Sequence, residues 1–450
     1  MTSDKLRLLP AVHEVVEELR QHYHSNSDER LTRAARDAIN AVRAEVLQAP
    51  QTPIDRDIIL QMALATLQAT FAPIEVINAT GVILHTNLGR APLSPKALEA
   101  IGGAAQSSDL EYDLQHGKRA SRNRLLSEPL AELTHTEAGF IVNNCAAALV
   151  LALAALGGKA TALARSQIIE IGGGFRLPDI MKASGVELYE VGTTNRTRLT
   201  DYEEALENGA EAILWMHRSN FEITGFTEEP TLDALRALAD KYNVPLIYDL
   251  GTGLAWDTAT FDLKSEPTIH HKSVHSADVT LFSGDKLFGG PQAGVIVGRR
   301  ASVDRLAKHP LARALRADKL TIAAFAATLS SHLENRPEEI PVFQMLNMAP
   351  EELQSRAQAI AASLPENRFR IVEVKDTVGG GTMPNSELLG LAIEIKESDS
   401  ERVHELLRSA PHPIVTRIQD NAVLIHVRTL LPNQLTTVAG KLANTLALLS

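Results

Sequence analysis

The sequence predicts an α/β protein in three parts: an N-terminal helical domain over residues 1–70, a large domain over 71–330 on a mainly parallel sheet, and a smaller C-terminal α+β domain over 331–450. Three observations predict it. Apolar residues recur at helical spacing near the N-terminus, short β-rich runs alternate with helical stretches from about Val76 to Leu320, and a Pro-rich break, Arg336-Pro-Glu-Glu-Ile-Pro, precedes renewed helix, strand and Gly-rich turn signals. At 450 residues the chain exceeds what one core usually organises, and 44% apolar with 22% charged residues is ordinary for a globular protein.

In the first part Leu31, Ala35, Ala38, Ile39, Val42 and Val46 follow the capping-competent Asn26-Ser27-Asp28, and Pro50 and Pro53 interrupt the pattern. Arg33, Arg36 and Arg43 fall on one side of that helix, flanking its apolar stripe, as either a solvated face or a phosphate-contacting one. In the second part Gly139-Phe-Ile-Val-Asn, Ala212-Ile-Leu-Trp-Met, Val244-Pro-Leu-Ile-Tyr and Val279-Thr-Leu-Phe read as buried parallel strands, most of them followed by Gly- or Asn-containing turns. Ligands in such sheets bind at the carboxyl ends of the strands. There is no internal repeat and no low-complexity segment.

The longest apolar run, Ala146 to Leu156, is far shorter than the ~20 residues a membrane-spanning helix needs, so no membrane crossing is expected. Met1-Thr-Ser-Asp-Lys does not read as an export signal, and a single cysteine, Cys145, cannot form an internal disulfide. Both fit a cytoplasmic protein. The formal charge of -11 argues against non-specific coating of nucleic acid but leaves a specific RNA partner open.

The chemistry concentrates in residues 279 to 298, where a strand ends at Ser283, a polar turn presents Lys286, and a Gly-rich reversal leads into a second apolar strand. A lysine at a strand end, among glycines that let the backbone approach a ligand, suits a pyridoxal 5'-phosphate (PLP) Schiff base; a surface lysine on a hairpin is the alternative. Upstream, Asp249 ends another buried-type strand, where a carboxylate can keep a pyridine nitrogen protonated, although an Asp there is also a common cap. Asn144, Cys145 and Ala146 open a helix whose free N–H groups suit a phosphate, and Ser283 can add a hydroxyl. Cys145 reads as a small residue of that turn rather than a nucleophile. His217 and Asn220 follow a strand and can meet a ring hydroxyl or flank the ring, and Phe175 can sit against it; each is equally a packing residue. No metal site is assigned.

These segments resemble the bacterial L-seryl-tRNA(Sec) selenium transferases, the selenocysteine synthases. The resemblance is carried by Ile77-Asn-Ala-Thr-Gly-Val-Ile-Leu-His-Thr-Asn-Leu-Gly-Arg-Ala-Pro-Leu-Ser, Leu110-Glu-Tyr-Asp-Leu, Glu170-Ile-Gly-Gly-Gly-Phe-Arg, Glu190-Val-Gly-Thr-Thr-Asn-Arg-Thr, Ser283-Gly-Asp-Lys with its Gly-Gly-Pro-Gln-Ala-Gly tail, and His309-Pro-Leu-Ala-Arg-Ala-Leu-Arg-Ala-Asp-Lys. It implies an aminotransferase-like fold (PLP fold type I). It further implies an enzyme that dehydrates serine esterified to tRNA(Sec) to an aminoacrylyl intermediate, then adds selenium from selenophosphate. In the family, arginines matching Arg90, Arg313 and Arg316 bind the donor's phosphate, and Asp285 matches a position near the reacting centre. Arg313 and Arg316, three apart on an expected helix, would face one way. The resemblance also implies a tRNA-gripping N-terminal helical domain and a homodecameric ring of dimers with active sites shared across subunits.

The chain departs from the family pattern at Ala164-Arg165-Ser166-Gln167, where Ser-Arg-Gly-Glu is usual, and at Cys145 for Asn, Ala120 for Gly and His426 for Asp. Two other readings compete: a PLP-dependent lyase acting on a small free or phosphorylated amino acid, since fold does not fix substrate, and a catalytically silent tRNA-binding protein on the same scaffold. The N-terminal helices disfavour the first, and the presence of both Lys286 and Asp249 disfavours the second.

Overall fold

The computed structural model describes residues 6–23, 27–48, 54–68, 73–172, 174–257, 266–396, 400–409 and 412–449. The chain divides into two compact units, Met1–Glu75 and Val76–Ser450. Among its described residues the first holds three helices, α1 (Val12–His22), α2 (Asp28–Gln48) and α3 (Arg56–Gln68), closed around Leu19, Leu31, Ala35, Ile39, Val42, Val46 and Ile59. Arg33, Arg36 and Arg43 are all exposed on α2.

In the second unit a seven-stranded sheet is built from β1 (Ala138–Val142), β2 (Ala160–Ala164), β3 (Glu187–Val191), β4 (Ala212–Met216), β5 (Leu246–Gly251), β6 (Val279–Ser283) and β7 (Gly294–Gly298). Its spatial order is β1-β7-β6-β5-β4-β2-β3. Strands β6, β5, β4, β2 and β3 pair parallel, while β7 runs antiparallel to both β6 and β1. The reversal follows from the short Gly-rich connection between β6 and β7, too short for a helical crossover. Successive residues face opposite cores: Ile141, Val295, Phe282, Tyr248 and Ile213 enter one, and Phe140, Ile296, Leu281, Ile247 and Leu214 the other. Burial on both faces explains why these strands read as unbroken apolar runs rather than alternating ones. The apolar run seen in the sequence is helix α4 (Cys145–Leu156), buried against the second of these faces. Among the described residues no helix is long and apolar enough to cross a membrane.

A four-stranded antiparallel sheet, β8 (Arg370–Gly379), β9 (Thr382–Ile395), β10 (Arg417–Gln419) and β11 (Ala422–His426), forms the C-terminal layer in the order β8-β9-β11-β10. The sequence boundary between large and small domains is not a spatial one. Ile77 and Asn78 pair parallel with Ile414 and Val415, and Ile83 and Leu84 donate to the carbonyls of Thr377 and Val378, so the segment leading to Arg90 begins in the C-terminal layer. Beneath it a buried triad ties the layer together. Asp376 is fully buried, with Oδ1 2.6 Å from His426 Nδ1 and Oδ2 accepting from Arg428 Nε at 2.9 Å. Gly81, at φ +74°, passes so close that a Cβ there would lie 2.2 Å from His426 Nδ1. Both its backbone sign and the space beside it require glycine.

Candidate active site

Strand ends deliver the site. Asp249 closes β5, His217 follows β4, and Ser283 closes β6, with Lys286 three residues on in a turn fixed by Gly284 N–H to Ala293 O and Leu287 N–H to Thr252 O. Together with Asn144, Cys145, Ala146, Asp285, Arg90, Ser219 and Gln292 they line a cavity of about 320 Å³. Buried parallel strands end here because their glycines, Gly251 and Gly284, break the pattern at the sheet's carboxyl edge.

One wall is an anion site. Asn144 caps α4, its Oδ1 accepting from Ala147 N–H at 2.8 Å, so the N–H groups of Cys145 and Ala146 are left without a protein acceptor among the described residues. Gly294 makes room for that turn: a Cβ there would lie 2.0 Å from the Asn144 carbonyl oxygen. The hydroxyl of buried Ser283 stands close to Cys145.

Across the cavity sit a carboxylate and an amine. Asp249 is 8% exposed; burial pushes its carboxyl up to about 6, against the opposing pull of the Lys286 ammonium, the Gly251 N–H and the Cys145 thiol. The Lys286 side-chain amine makes no hydrogen bond or ion pair among the described residues, which leaves it available to a carbonyl compound. Cys145 Sγ lies 3.9 Å from Asp249 Oδ1, and desolvation of the sulfur holds the thiol protonated, so it donates rather than attacks. Two buried polar atoms at this end of the sheet lack a hydrogen-bond partner: His217 Nε2 and Asn220 Oδ1. Free N–H groups, a free amine, a buried carboxylate and orphaned polar atoms are the donor set that a flat, phosphorylated heteroaromatic aldehyde requires.

Not every expected residue converges. Asn220 does not line the cavity, although its buried, unpaired oxygen is near. Phe175 closes a two-strand ribbon, but its side chain lies outside the described residues. Arg90 lines the site and gives Asp285 Oδ2 a hydrogen bond of 2.8 Å; it sits at φ +63°, a conformation costly for a non-glycine residue and seen where function holds a side chain in place. Arg313 and Arg316 instead line a separate cavity of about 600 Å³ with Arg119, Arg122 and Lys308. They are not a helical pair either. The helix α5 (Pro310–Ala314) stops after one turn, and Arg316 is extended, bridged to Val142 of β1. Glu111 accepts from Arg122 Nε at 2.8 Å and lies within 4 Å of Arg119 and Arg316, and these cations, Arg122 first, hold its carboxyl below the usual range, while Arg313 has no ion-pair partner among the described residues.

Gln292, Ser219 and Glu266 escaped the sequence reading. Gln292 sits in the Gly-rich tail after Lys286, and its position there was the available signal. The Gln167 departure has a local reason: its buried Oε1 accepts the Met216 N–H at 3.0 Å, fixing the end of β4 beside His217, which a neutral amide does without burying a charge.

A family model described as L-seryl-tRNA selenium transferase matches residues 76–431. Among curated relatives, the L-seryl-tRNA(Sec) selenium transferase of Carboxydothermus hydrogenoformans is 39% identical over 445 residues, covering 96% of this chain and 95% of its own. That of Clostridium perfringens is 39% identical over 451 residues, covering 96% of each. Among solved structures, a D-glucosaminate-6-phosphate ammonia-lyase superposes with a TM-score of 0.57 at 18% identity, over 82% of this chain and 95% of that one; this likeness is one of fold.

The raised Asp249 carboxyl carries a pH signature in ligand-free protein. Because the folded state keeps the proton above the unfolded value of 3.8, stability falls as pH rises from about 4 to about 6 and is flat beyond, a loss of order 3 kcal/mol. Asp249→Asn abolishes that decline, so the stability difference between variant and parent, measured by urea unfolding of ligand-free protein, grows in the variant's favour across that window. A pH-independent difference would contradict the buried-carboxylate assignment.

Proposed function

Because the chain belongs to the L-seryl-tRNA(Sec) selenium transferase family, we propose that it converts seryl-tRNA(Sec) to selenocysteinyl-tRNA(Sec) at the cavity around Lys286, using PLP as cofactor and selenophosphate as selenium donor. The observation that carries this reading is the unpaired Lys286 amine facing the cavity between the Asp249 carboxylate and the free N–H groups at the start of α4. Family membership over nearly the whole chain favours the tRNA substrate over the small-molecule lyase reading.

In this reading Lys286 would hold the cofactor through its Nζ, Asp249 would be the carboxylate partner of its ring, and Cys145, Ala146 and Ser283 would receive its phosphate. The bound cofactor supplies an electron sink for charge developing at the serine α-carbon. Lys286 Nζ would take the seryl α-proton and pass it to the departing β-hydroxyl, which leaves as water; selenium then bonds the β-carbon, the α-carbon regains a proton, and water cleaves the Se–P bond to release phosphate. Asp249 must be ionised to keep a pyridine nitrogen protonated, and a cation beside it brings its carboxyl back down. Asp285 fixes the Arg90 guanidinium at the cavity mouth, where an anionic donor arrives.

The Arg313 and Arg316 cavity shares no lining residue with the Lys286 cavity, and in this reading it serves the donor from a second copy, in an oligomer with shared sites. A ring of dimers, in the cytoplasm where charged tRNA is found, accommodates this. The tRNA is gripped through α2. The first unit holds eight Lys/Arg against eleven Asp/Glu, so the grip is local: Arg36 has no acidic partner among the described residues and Arg43 bonds only the neutral Asn40.

Four measurements test this. Purified protein given seryl-tRNA(Sec), ordinary seryl-tRNA and free serine, each with selenophosphate, should form selenocysteinyl product from the first alone. Lys286→Ala should lose the yellow, borohydride-bleachable absorption and turnover while still binding tRNA; release of keto acid from a free amino acid would replace the reading with a lyase. Mixed oligomers of Lys286→Ala with Arg313→Ala/Arg316→Ala should regain activity that neither parent has, and no recovery would place both functions on one subunit. Arg36→Ala/Arg43→Ala should weaken tRNA binding and reduce the slope of log K against log salt by about 1 to 2, and an unchanged slope would remove α2 from the interface.

A further inference from the structure

Glu266 is a buried carboxylate with no part in the account above. It is 8% exposed, and its Oε1 accepts from the Thr252 hydroxyl at 3.1 Å and lies 3.1 Å from His217 Nε2. Nε2 is buried and makes no aligned hydrogen bond among the described residues, so the Glu266 carboxylate at 3.1 Å is the acceptor within its reach. The two contacts reach different strand ends. His217 follows β4, and its own N–H bonds the Asp249 carbonyl at 2.8 Å; Thr252 follows β5, and its carbonyl accepts from Leu287 N–H at 3.1 Å, the residue after Lys286. A buried carboxylate is costly unless its lone pairs are used, so its retention here, joined to the turns carrying three residues of the cavity, points to positioning.

We propose that Glu266 is a positioning residue of the site: it selects the Nε2–H tautomer of His217, leaving Nδ1 as the ring's acceptor, and through Thr252 it holds the turn that presents Lys286. Carboxylates that orient a functional histidine in this way fix both ring angle and tautomer. Of the charged and titratable groups around this pair, Tyr248 of β5 interacts with Glu266 and Asp249 of β5 with His217, while Arg218, next in the chain to His217, is paired with Glu229. This inference rests on the cofactor reading of the cavity.

The test uses holoenzyme. Glu266→Gln keeps the shape and one acceptor oxygen but removes the charge. It should retain fold by circular dichroism, shift the pH dependence of the bound cofactor's visible spectrum, and lower kcat about 10-fold with KM for seryl-tRNA(Sec) within about twofold. In a His217→Asn background the same change should cost much less, because it acts through that ring. Thr252→Val, which cuts the other arm without touching charge, should lower stability and leave the spectral pH profile in place. Glu266→Asp carries the experiment if the amide variant does not fold, with the same coupling to His217 expected from its shortened reach. An undiminished loss in the His217→Asn background, or an unchanged spectral pH profile, overturns the proposal. Parent enzyme with no visible cofactor band would instead sink the reading of the cavity itself, leaving Glu266 as a separate question.

Discussion

Everything at the reactive end of the molecule is arranged around one electrostatic relation, the buried carboxylate of Asp249 beside the free amine of Lys286. Burial raises the carboxyl to about 6, and the ammonium, the Gly251 N–H and the Cys145 thiol each oppose that rise. A group balanced in this way changes its charge when a cation is brought against it, which is what a pyridine nitrogen held there demands. The balance depends on the two strand ends staying in register. Parallel pairing of β5 with β6, Asp249 opposite Leu281, fixes that distance, and the large buried residues on both faces of the sheet keep the strands from sliding.

Around this relation the molecule separates two anion problems. The helix start at Asn144 offers rigidly held backbone N–H groups to an anion. Arginine side chains stand elsewhere: Arg90 at the cavity, paired with Asp285 in a strained backbone conformation, and Arg313 and Arg316 in a cavity of their own. The second cavity is partly neutralised by Glu111, while Arg313 and Lys308 have no ion-pair partner among the described residues.

The departures from the family pattern are absorbed locally. Gln167 replaces a charge with an amide in a buried spot whose task is to accept one backbone N–H. His426 sits against Asp376, which also takes Arg428, so the buried carboxylate keeps two partners and the layer carrying the segment to Arg90 stays tied down. Cys145 puts a weak donor beside Asp249. None of the three removes a group that touches the Lys286 amine.

Much of this was legible in the residues. Val279–Ser283 and Leu246–Gly251 read as buried strands because parallel strands covered on both faces are continuous apolar runs broken by glycine, and Lys286, Asp249, Asn144 and Ser283 could be placed because each lies within three residues of such an end. Local sequence determined those positions, since strand termination and helix capping are decided by neighbours in the chain. It could not determine that Arg316 leaves its helix to bridge β1, that the segment from Ile77 to Arg90 starts in the C-terminal layer, or that Glu266 reaches His217 and Thr252. Those depend on contacts between residues 14 to more than 300 positions apart, whose partners are chosen by packing and charge satisfaction in three dimensions and leave no periodic trace in one.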